Sequence, residues 1–115
     1  MRILGLVFAG SATDRRAEMT GFVADVLGLE RVQDQGVGAD LFALPDGSRL
    51  GVTGPRGMGE TSRTIGFLVD DLEAAGAELR AAGAWVADEP GANDAERYLH
   101  FRAPDGALYE LIERR

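Results

Sequence analysis

The chain holds a single histidine, His100, with Glu110 ten positions further on. Between them lies the turn signature Pro104, Asp105, Gly106. As a three-residue loop with Gly in the left-handed bulge position, this turn pairs Ala103 with Ala107. Counting outward from it sets His100 opposite Glu110 and Tyr98 opposite Ile112, and brings Phe101 to Tyr109. One face of the hairpin then collects Leu99, Phe101, Tyr109 and Leu111, all suited to packing under a helix. The other collects Tyr98, His100, Arg102 and Glu110, a polar set with no reason to be buried in a core. A slip of one residue would scramble this sorting. An imidazole beside a carboxylate has two readings. It is a hydrogen-bonded polar pair lining a cavity, or an acid–base dyad in which the carboxylate orients the ring.

The hairpin is part of a repeat. Residues 42–52 (FALPDGSRLGV) return 59 positions later as residues 101–111 (FRAPDGALYEL), and the same offset, without a gap, lays residues 6–10 on residues 65–69. An internal offset of this size in 115 residues marks a duplicated unit. The modules are expected at 1–53 and 62–115, joined by a linker at 54–61, in one domain. Each half is marginal alone, so the halves share a core or pair with another chain.

In the first module, Leu4, Leu6 and Phe8 share one strand face and Gly5, Val7 and Ala9 the other. Ser11, Thr13 and Asp14 offer capping oxygens to a helix. The helix's buried stripe is expected at Met19, Phe22, Val23, Val26 and Leu27. A faint strand near 30–33 follows, then a Gly-containing stretch at 33–38 and strands at 40–44 and 49–53. In the second module a strand at 64–69 leads to an Asp70–Asp71 cap. The helix stripe Leu72, Ala75, Leu79 and Ala82 follows, with Gly83 as stop, then a short strand at 84–87. An acidic loop runs from Asp88 to Arg97, and the hairpin occupies 98–102 and 107–112. The predicted fold is α+β: two βαβββ modules whose eight strands form a curled mixed sheet, an open barrel or cup, with two helices outside.

Acidic residues number 19 against 12 basic, a net charge of −7, which argues against a nucleic-acid partner. Zero Cys excludes disulfides, thiolate metal sites and thiol nucleophiles. No apolar run reaches the length of a membrane span, so the expectation is a soluble cytoplasmic protein. Gly54, Gly59, Glu60 and Thr61 have phosphate-loop spacing, but Glu60 stands where that loop needs Lys. Trp85, the only Trp, is read either as core or dimer seam or as a stacking surface for a planar ligand. The acidic loop is either a solvated segment or a rim that attracts a cation.

Residues 64–72 leading into a helix, and the run 104–112 (PDGALYELI), resemble the vicinal oxygen chelate superfamily. That group spans glyoxalase I, extradiol dioxygenases and the fosfomycin- and bleomycin-resistance proteins. The resemblance covers essentially the whole chain. Its enzymes hold a divalent metal at four symmetric strand positions, which by the resemblance fall on Gly5, Gly51, Thr64 and Glu110. Gly offers no ligand, Thr is a poor one, and His100 with Glu110 does not rebuild a two-His-one-carboxylate site. No metal ligand and no cofactor is therefore expected, with a divalent metal as the alternative. The leading functional expectation is a small-molecule binding or sequestering protein of the bleomycin-resistance type. Its ligand residues are expected at Gly5, Val7, Gly51, Thr64, Tyr98, His100, Arg102 and Glu110, with Gly5 and Gly51 leaving volume for the ligand. The alternative is an enzyme, either metal-independent with His100 and Glu110 as proton carriers, or a metal-dependent lyase or dioxygenase. The partners implied are a small organic ligand and a second copy of the chain in a homodimer.

Overall fold

A computed structural model describes residues 1–33, 38–59 and 61–115. The expected stretch at 33–38 therefore falls largely outside the described residues, as does Glu60 of the phosphate-loop spacing. The chain divides into two compact units, residues 8–64 and residues 1–7 with 65–115. Among the described residues no helix is long and apolar enough to cross a membrane. The α+β class and the paired βαβββ plan are as expected.

In the unit of residues 8–64, β1 (Gly5–Ala12) runs parallel to β4 (Arg49–Thr53), with Phe8 across from Arg49 and Gly10 across from Gly51. Strand β3 (Asp40–Ala43) is antiparallel to β4, and β2 (Glu30–Val32) is antiparallel to β3. Side chains alternate along each strand. Phe42, Leu50 and Val52 therefore fall on one face, where Phe42 and Val52 meet Val23 of α1 (Arg16–Asp25) in a buried core. Leu41, Gly51, Phe8 and Gly10 fall on the other.

Two expectations for this helix are corrected. The cap does not use Ser11, because β1 runs on through Ala12, held by Ala12 N–H on the Ser62 carbonyl at 3.0 Å. Thr13 accepts instead from Arg15 N–H, and Arg15 stands at the helix N-cap. Of the expected stripe only Val23 is buried, while Phe22, Val26 and Leu27 are 47%, 69% and 52% exposed. The helix ends at Asp25, so Val26 and Leu27 lie past its last full turn and cannot follow Val23 inward.

Polar groups make up part of what α1 lacks in apolar cover. Arg16 donates to both carboxylate oxygens of Asp40, at 3.0 and 3.1 Å, Thr20 Oγ1 donates to one of them at 2.7 Å, and Arg31 pairs with the carboxylate at 2.6 Å. This clamp ties α1 to β3 and β2. The Arg16 hydrogen bond, outweighing desolvation and helped by Thr20 and Arg31, holds the Asp40 carboxyl down at about 2. A folded-state pKa below the unfolded one contributes stability that is complete above about pH 4 and lost as pH falls towards about 2. Asp40→Asn is expected to cost about 1–2 kcal/mol near neutrality, with the difference from wild type closing towards about pH 2. Urea unfolding of both chains across that range measures it.

In the other unit, which takes up β5 (Arg63–Leu68) from Ile65 onward, β5 is parallel to β8 (Leu108–Arg114), with Gly66 across from Glu110. Strand β7 (Glu96–Arg102) pairs antiparallel with β8, and the two-residue β6 (Gly91–Ala92) with β7. Helix α2 (Leu72–Ala81) starts as expected at Asp71, whose side chain accepts from Ala74 N–H at 3.0 Å, while Glu113 accepts from Leu72 N–H at 2.8 Å. Leu72 and Ala75 pack on Leu99, Phe101 and Leu111; Leu79 is partly buried and Ala82 exposed. Gly76 lets the helix approach, since a Cβ there would lie 2.8 Å from Leu99 Cδ2. The strand expected at 84–87 contracts to one bridge, Val86 to Phe101, flanked by backbone bonds from Arg102 to Trp85 and from Ala87 to His100. The acidic loop in turn contains β6 and the start of β7, joined by Asn93, whose side chain accepts from the N–H groups of Ala95 and Glu96.

The two units do not repeat at a single offset. The hairpin halves do repeat at 59, down to the turn glycines Gly47 and Gly106, whose φ of 86° and 82° a side chain would strain. The helices, however, begin at Arg16 and Leu72 and end at Asp25 and Ala81, 56 positions apart. The first strands follow the helices: Gly10 faces Gly51 as Gly66 faces Glu110. Three extra residues in the second unit, between the helix and the hairpin, make up the difference. The gap-free alignment of residues 6–10 on 65–69 is thereby corrected.

Candidate functional site

The Pro104–Gly106 turn fixes the register on which the site depends. Asp105 accepts from Ala107 N–H at 3.0 Å and from the Tyr109 hydroxyl at 2.8 Å, and these bonds hold its carboxyl below the usual range while raising the Tyr109 hydroxyl. Ala103 N–H reaches the Ala107 carbonyl at 3.2 Å. From that anchor the ladder runs Phe101 to Tyr109, His100 to Glu110, Leu99 to Leu111 and Tyr98 to Ile112, as counted from the sequence. On the helix side, Tyr109 stacks between Phe101 and Phe67, at centroid distances of 5.7 and 6.1 Å. This aromatic row stiffens the strands behind the polar face.

On that polar face His100 Nε2 lies 3.0 Å from Glu110 Oε2. Glu110 is buried, 9% exposed, whereas the His100 side chain is 38% exposed. The carboxylate thus fixes one ring nitrogen from below and leaves the ring accessible. Tyr98 meets the imidazole edge-on, centroids 5.6 Å apart at 67°. Its seat is Gly91 across the β6–β7 ladder: a Cβ there would lie 2.3 Å from Tyr98 Cζ and 2.6 Å from its hydroxyl. An aromatic ring laid over a cross-strand glycine is held by the absence of a side chain beneath it. Gly91→Ala is expected to cost about 1–3 kcal/mol by overpacking and to lift Tyr98 away from His100. Urea unfolding reads the first effect. The ring-proton shifts of the single histidine, which feel the Tyr98 ring current, read the second.

The other candidate residues separate from this group. Arg102 shares the strand face, but its guanidinium turns to the hairpin and donates to the Gly106 carbonyl at 2.8 Å. Gly51 and Thr64 belong to the unit of residues 8–64. Thr64 is 2% exposed, and its hydroxyl is the one buried side-chain polar atom without a hydrogen-bond partner among the described residues. Gly5 and Val7 lie an odd number of positions from Phe8 and Gly10, so they project to the opposite face of β1 from the Gly51 side. Their expected placement beside Gly51 is corrected. The cause is the 56-residue offset, under which Phe8, not Gly5, is the counterpart of Thr64.

Nothing lies within 4 Å of where a Cβ of Gly5 would be, but Gly51 does not leave the open volume expected of it. A Cβ on it would stand 3.0 and 3.2 Å from the Phe8 ring and 3.3 Å from Leu41 Cδ2. The trio Phe8, Leu41 and Gly51 repeats in apolar form the strand positions that Thr64, His100 and Glu110 hold in polar form. Phe8, Leu41 and Gly91 escaped the sequence reading. The facing glycines Gly10 and Gly51, and a glycine seven residues before an aromatic, were the available signals.

One acidic trio lies elsewhere, with the carboxylates of Asp71, Glu73 and Glu113 within 4.8 Å of one another. Asp71 and Glu113 cap α2, and Glu73 and Glu113 both pair with Arg97, so these oxygens already have work in the fold.

The family model for the Glyoxalase/Bleomycin resistance protein/Dioxygenase superfamily matches residues 5–111. No curated protein matches the chain. Among solved structures, the methylmalonyl-CoA epimerase of Mycobacterium tuberculosis superposes with a TM-score of 0.75 at 21% identity, over 98% of this chain and 89% of that one. BphC, a halotolerant catechol dioxygenase, gives 0.72 at 24% identity, over 96% of this chain and 39% of its own. A superfamily member from Vibrio splendidus 12B01 gives 0.68 at 19%, over 96% and 98%. At such identities the likeness establishes the fold and nothing finer.

Proposed function

The chain belongs to the Glyoxalase/Bleomycin resistance protein/Dioxygenase superfamily, and from that premise we propose that it is a small-molecule binding protein holding an organic ligand against His100, Glu110 and Tyr98 without a resident metal ion. The observation that carries this reading is the contrast between the two units. Where one sets His100 against Glu110, the other sets Leu41 against Gly51, with the Phe8 ring laid over the glycine. The divalent ion common in this superfamily needs about three protein ligands. At the strand positions the resemblance marks for it, one unit carries Phe8, Gly51 and Thr64, with no strong ligand, and the other Glu110 alone, so neither set of residues fits such an ion. What they suit is a ligand with a polar group for the imidazole and hydroxyl. The buried Glu110 keeps the imidazole in place for that contact.

A second reading is an enzyme that moves a proton without metal. The 3.0 Å contact between His100 and Glu110 favours it, because a base held by an orienting carboxylate is the arrangement general acid–base catalysis uses. The epimerase and the dioxygenase among the similar structures keep an enzymatic role in view. A second copy of the chain is the proposed partner for the apolar residues Phe22, Val26 and Leu27 exposed around the end of α1. Sedimentation as a 12.2 kDa monomer at micromolar concentration would remove that partner.

The deciding measurement is elemental analysis of the chain purified without chelator or affinity tag. The expected result is no stoichiometric transition metal. One equivalent of Fe, Mn, Ni or Zn overturns the metal-free reading.

A further inference from the structure

The two ring nitrogens of His100 differ in what they can still do. Nε2 lies 3.0 Å from Glu110 Oε2, and an ionised carboxylate only accepts, so Nε2 carries the proton and donates it. In the neutral ring Nδ1 is then a bare acceptor. Among the described residues no group donates to it, and the side chain is 38% exposed, so a ligand can reach it. An anion finds little here. Arg102, on the same strand face, already donates to the Gly106 carbonyl at 2.8 Å, and Glu110 sets its carboxylate directly behind the ring.

Apolar surface lies exposed on the same face of the same unit. Leu4 N–H reaches the Leu68 carbonyl at 2.8 Å and Ala12 N–H the Ser62 carbonyl at 3.0 Å, so β1 runs antiparallel to β5. Residues joined in this way stand opposite each other with their side chains on one face. Leu4 therefore shares a face with Leu68, and Leu6, two positions on, shares it too. Leu68 is in turn across from Ile112 and Gly66 across from Glu110, whose own partner is His100. Leu4 and Leu6 are thus on the His100 side of the sheet, and they are 46% and 62% exposed. Three strand spacings, about 14 Å, separate β7 from β1. Gly66 places no side chain between Glu110 and the leucines.

Resting on the reading of this face as a metal-free binding site, we propose that its ligand is a neutral alcohol or phenol with an apolar body. The hydroxyl donates to His100 Nδ1, and the body lies across Gly66 to Leu4 and Leu6. A carboxylate is turned away, because it has no proton to give Nδ1 and meets the charge of Glu110. An ether of the same shape keeps the apolar contact and loses the hydrogen bond.

The single His makes the readout direct. Trp85, the only Trp, is 55% exposed and so is not a core residue; it lies outside this row of side chains, and its indole N–H serves as the control. The full chain, shown to be metal-free, is titrated at about pH 8, where imidazole side chains are ordinarily neutral, with 2-naphthol, 2-methoxynaphthalene and naphthalene-2-carboxylate. 2-Naphthol is expected to shift the His100 Nδ1 resonance and the Leu6 methyls along one saturable curve while the indole N–H stays fixed. The methoxy compound is expected to bind about 3–10-fold more weakly, the loss of one hydrogen bond, and the carboxylate more weakly still. Leu6→Ala, at an exposed position that the fold does not need filled, is expected to weaken 2-naphthol about tenfold. Equal or tighter binding of the ether or the carboxylate at His100 overturns the inference and leaves the binding reading standing, as does an unchanged affinity in Leu6→Ala. No saturable shift at His100 with millimolar 2-naphthol overturns it, and so do Leu6 methyls that move with protein dilution, since a second copy then covers the leucines. One equivalent of transition metal in the purified chain instead removes the reading beneath it.

Discussion

Gly51→Glu is expected to destabilise the chain by about 3–5 kcal/mol and to bring no divalent ion with it. The substitution supplies the side chain that Glu110 carries at the matching strand position of the other unit, so it tests whether the missing ligand is a simple deletion. The packing says it is not. A Cβ at residue 51 meets the Phe8 ring at 3.0 and 3.2 Å and Leu41 at 3.3 Å. On the ring's other edge, the place where a Cβ of Gly10 would be lies 3.0 Å away and is filled by Met58, whose Cε and Sδ stand 2.5 and 2.7 Å from that point. Two glycines facing each other across β1 and β4 together make the bed for one aromatic ring. A carboxylate forced in there is also desolvated among Phe8, Leu41 and Met58. Against a total stability of about 5–15 kcal/mol this is a large loss. Gly51→Ala, which adds bulk without charge, is expected to cost about 1–3 kcal/mol, and the pair Phe8→Ala with Gly51→Glu to regain part of the deficit. Urea unfolding with calorimetric titration of Mn²⁺, Ni²⁺ and Zn²⁺ reads all three variants. A well-folded Gly51→Glu chain that takes up one ion would show that Phe8 yields easily, and the metal-free reading would lose its main support.

The same two glycines mark where sequence reasoning stopped. The hairpin of β7 and β8 was legible to the residue, because Pro104, Asp105 and Gly106 dictate a turn of known length and every pairing follows by counting. The register of β1 was not. Residues 6–10 match residues 65–69 as a short run of apolar and small side chains, whereas their counterparts at the 56-residue offset begin with the polar Ser62, Arg63 and Thr64, so side-chain likeness favours the wrong register. A slip of three is odd, so it exchanges the faces: the 59-residue offset puts Gly5 and Val7 on the Gly51 side, where the fold has Phe8. The physical determinant is the helix. In both units the first strand and the helix are separated by a three-residue link, 13–15 and 69–71, so strand and helix shift together. The 56-residue offset is therefore carried by α1 and α2 and by the strands that lead into them. The exposed Phe22 shows a different limit. Helical spacing says which side chains share a face, and it does not say that anything covers them.

His100→Gln is expected to weaken binding of any compound that raises the melting temperature of the wild-type chain by about 1–2 kcal/mol, with no turnover in either form. Gln keeps a side-chain amide near the position of the imidazole and leaves Glu110, 9% exposed, with a hydrogen-bond donor. Folding should therefore survive and the effect fall on the ligand. The proton-transfer reading predicts the reverse division. There the same change costs about 10²–10⁴-fold in rate while affinity stays near that of wild type. Deuterium wash-in from D₂O at a carbon next to a carbonyl separates the two, whatever the product is. Glu110→Gln supplies the second arm. In a pure binding site it is expected to act only through the orientation of His100 and to cost no more than His100→Gln does. In a dyad its loss is as severe as that of the base, because an imidazole without its carboxylate no longer presents the same nitrogen to the substrate. Equal and modest affinity losses in the two variants, with no wash-in, are what the arrangement of one polar unit beside one apolar unit leads us to expect.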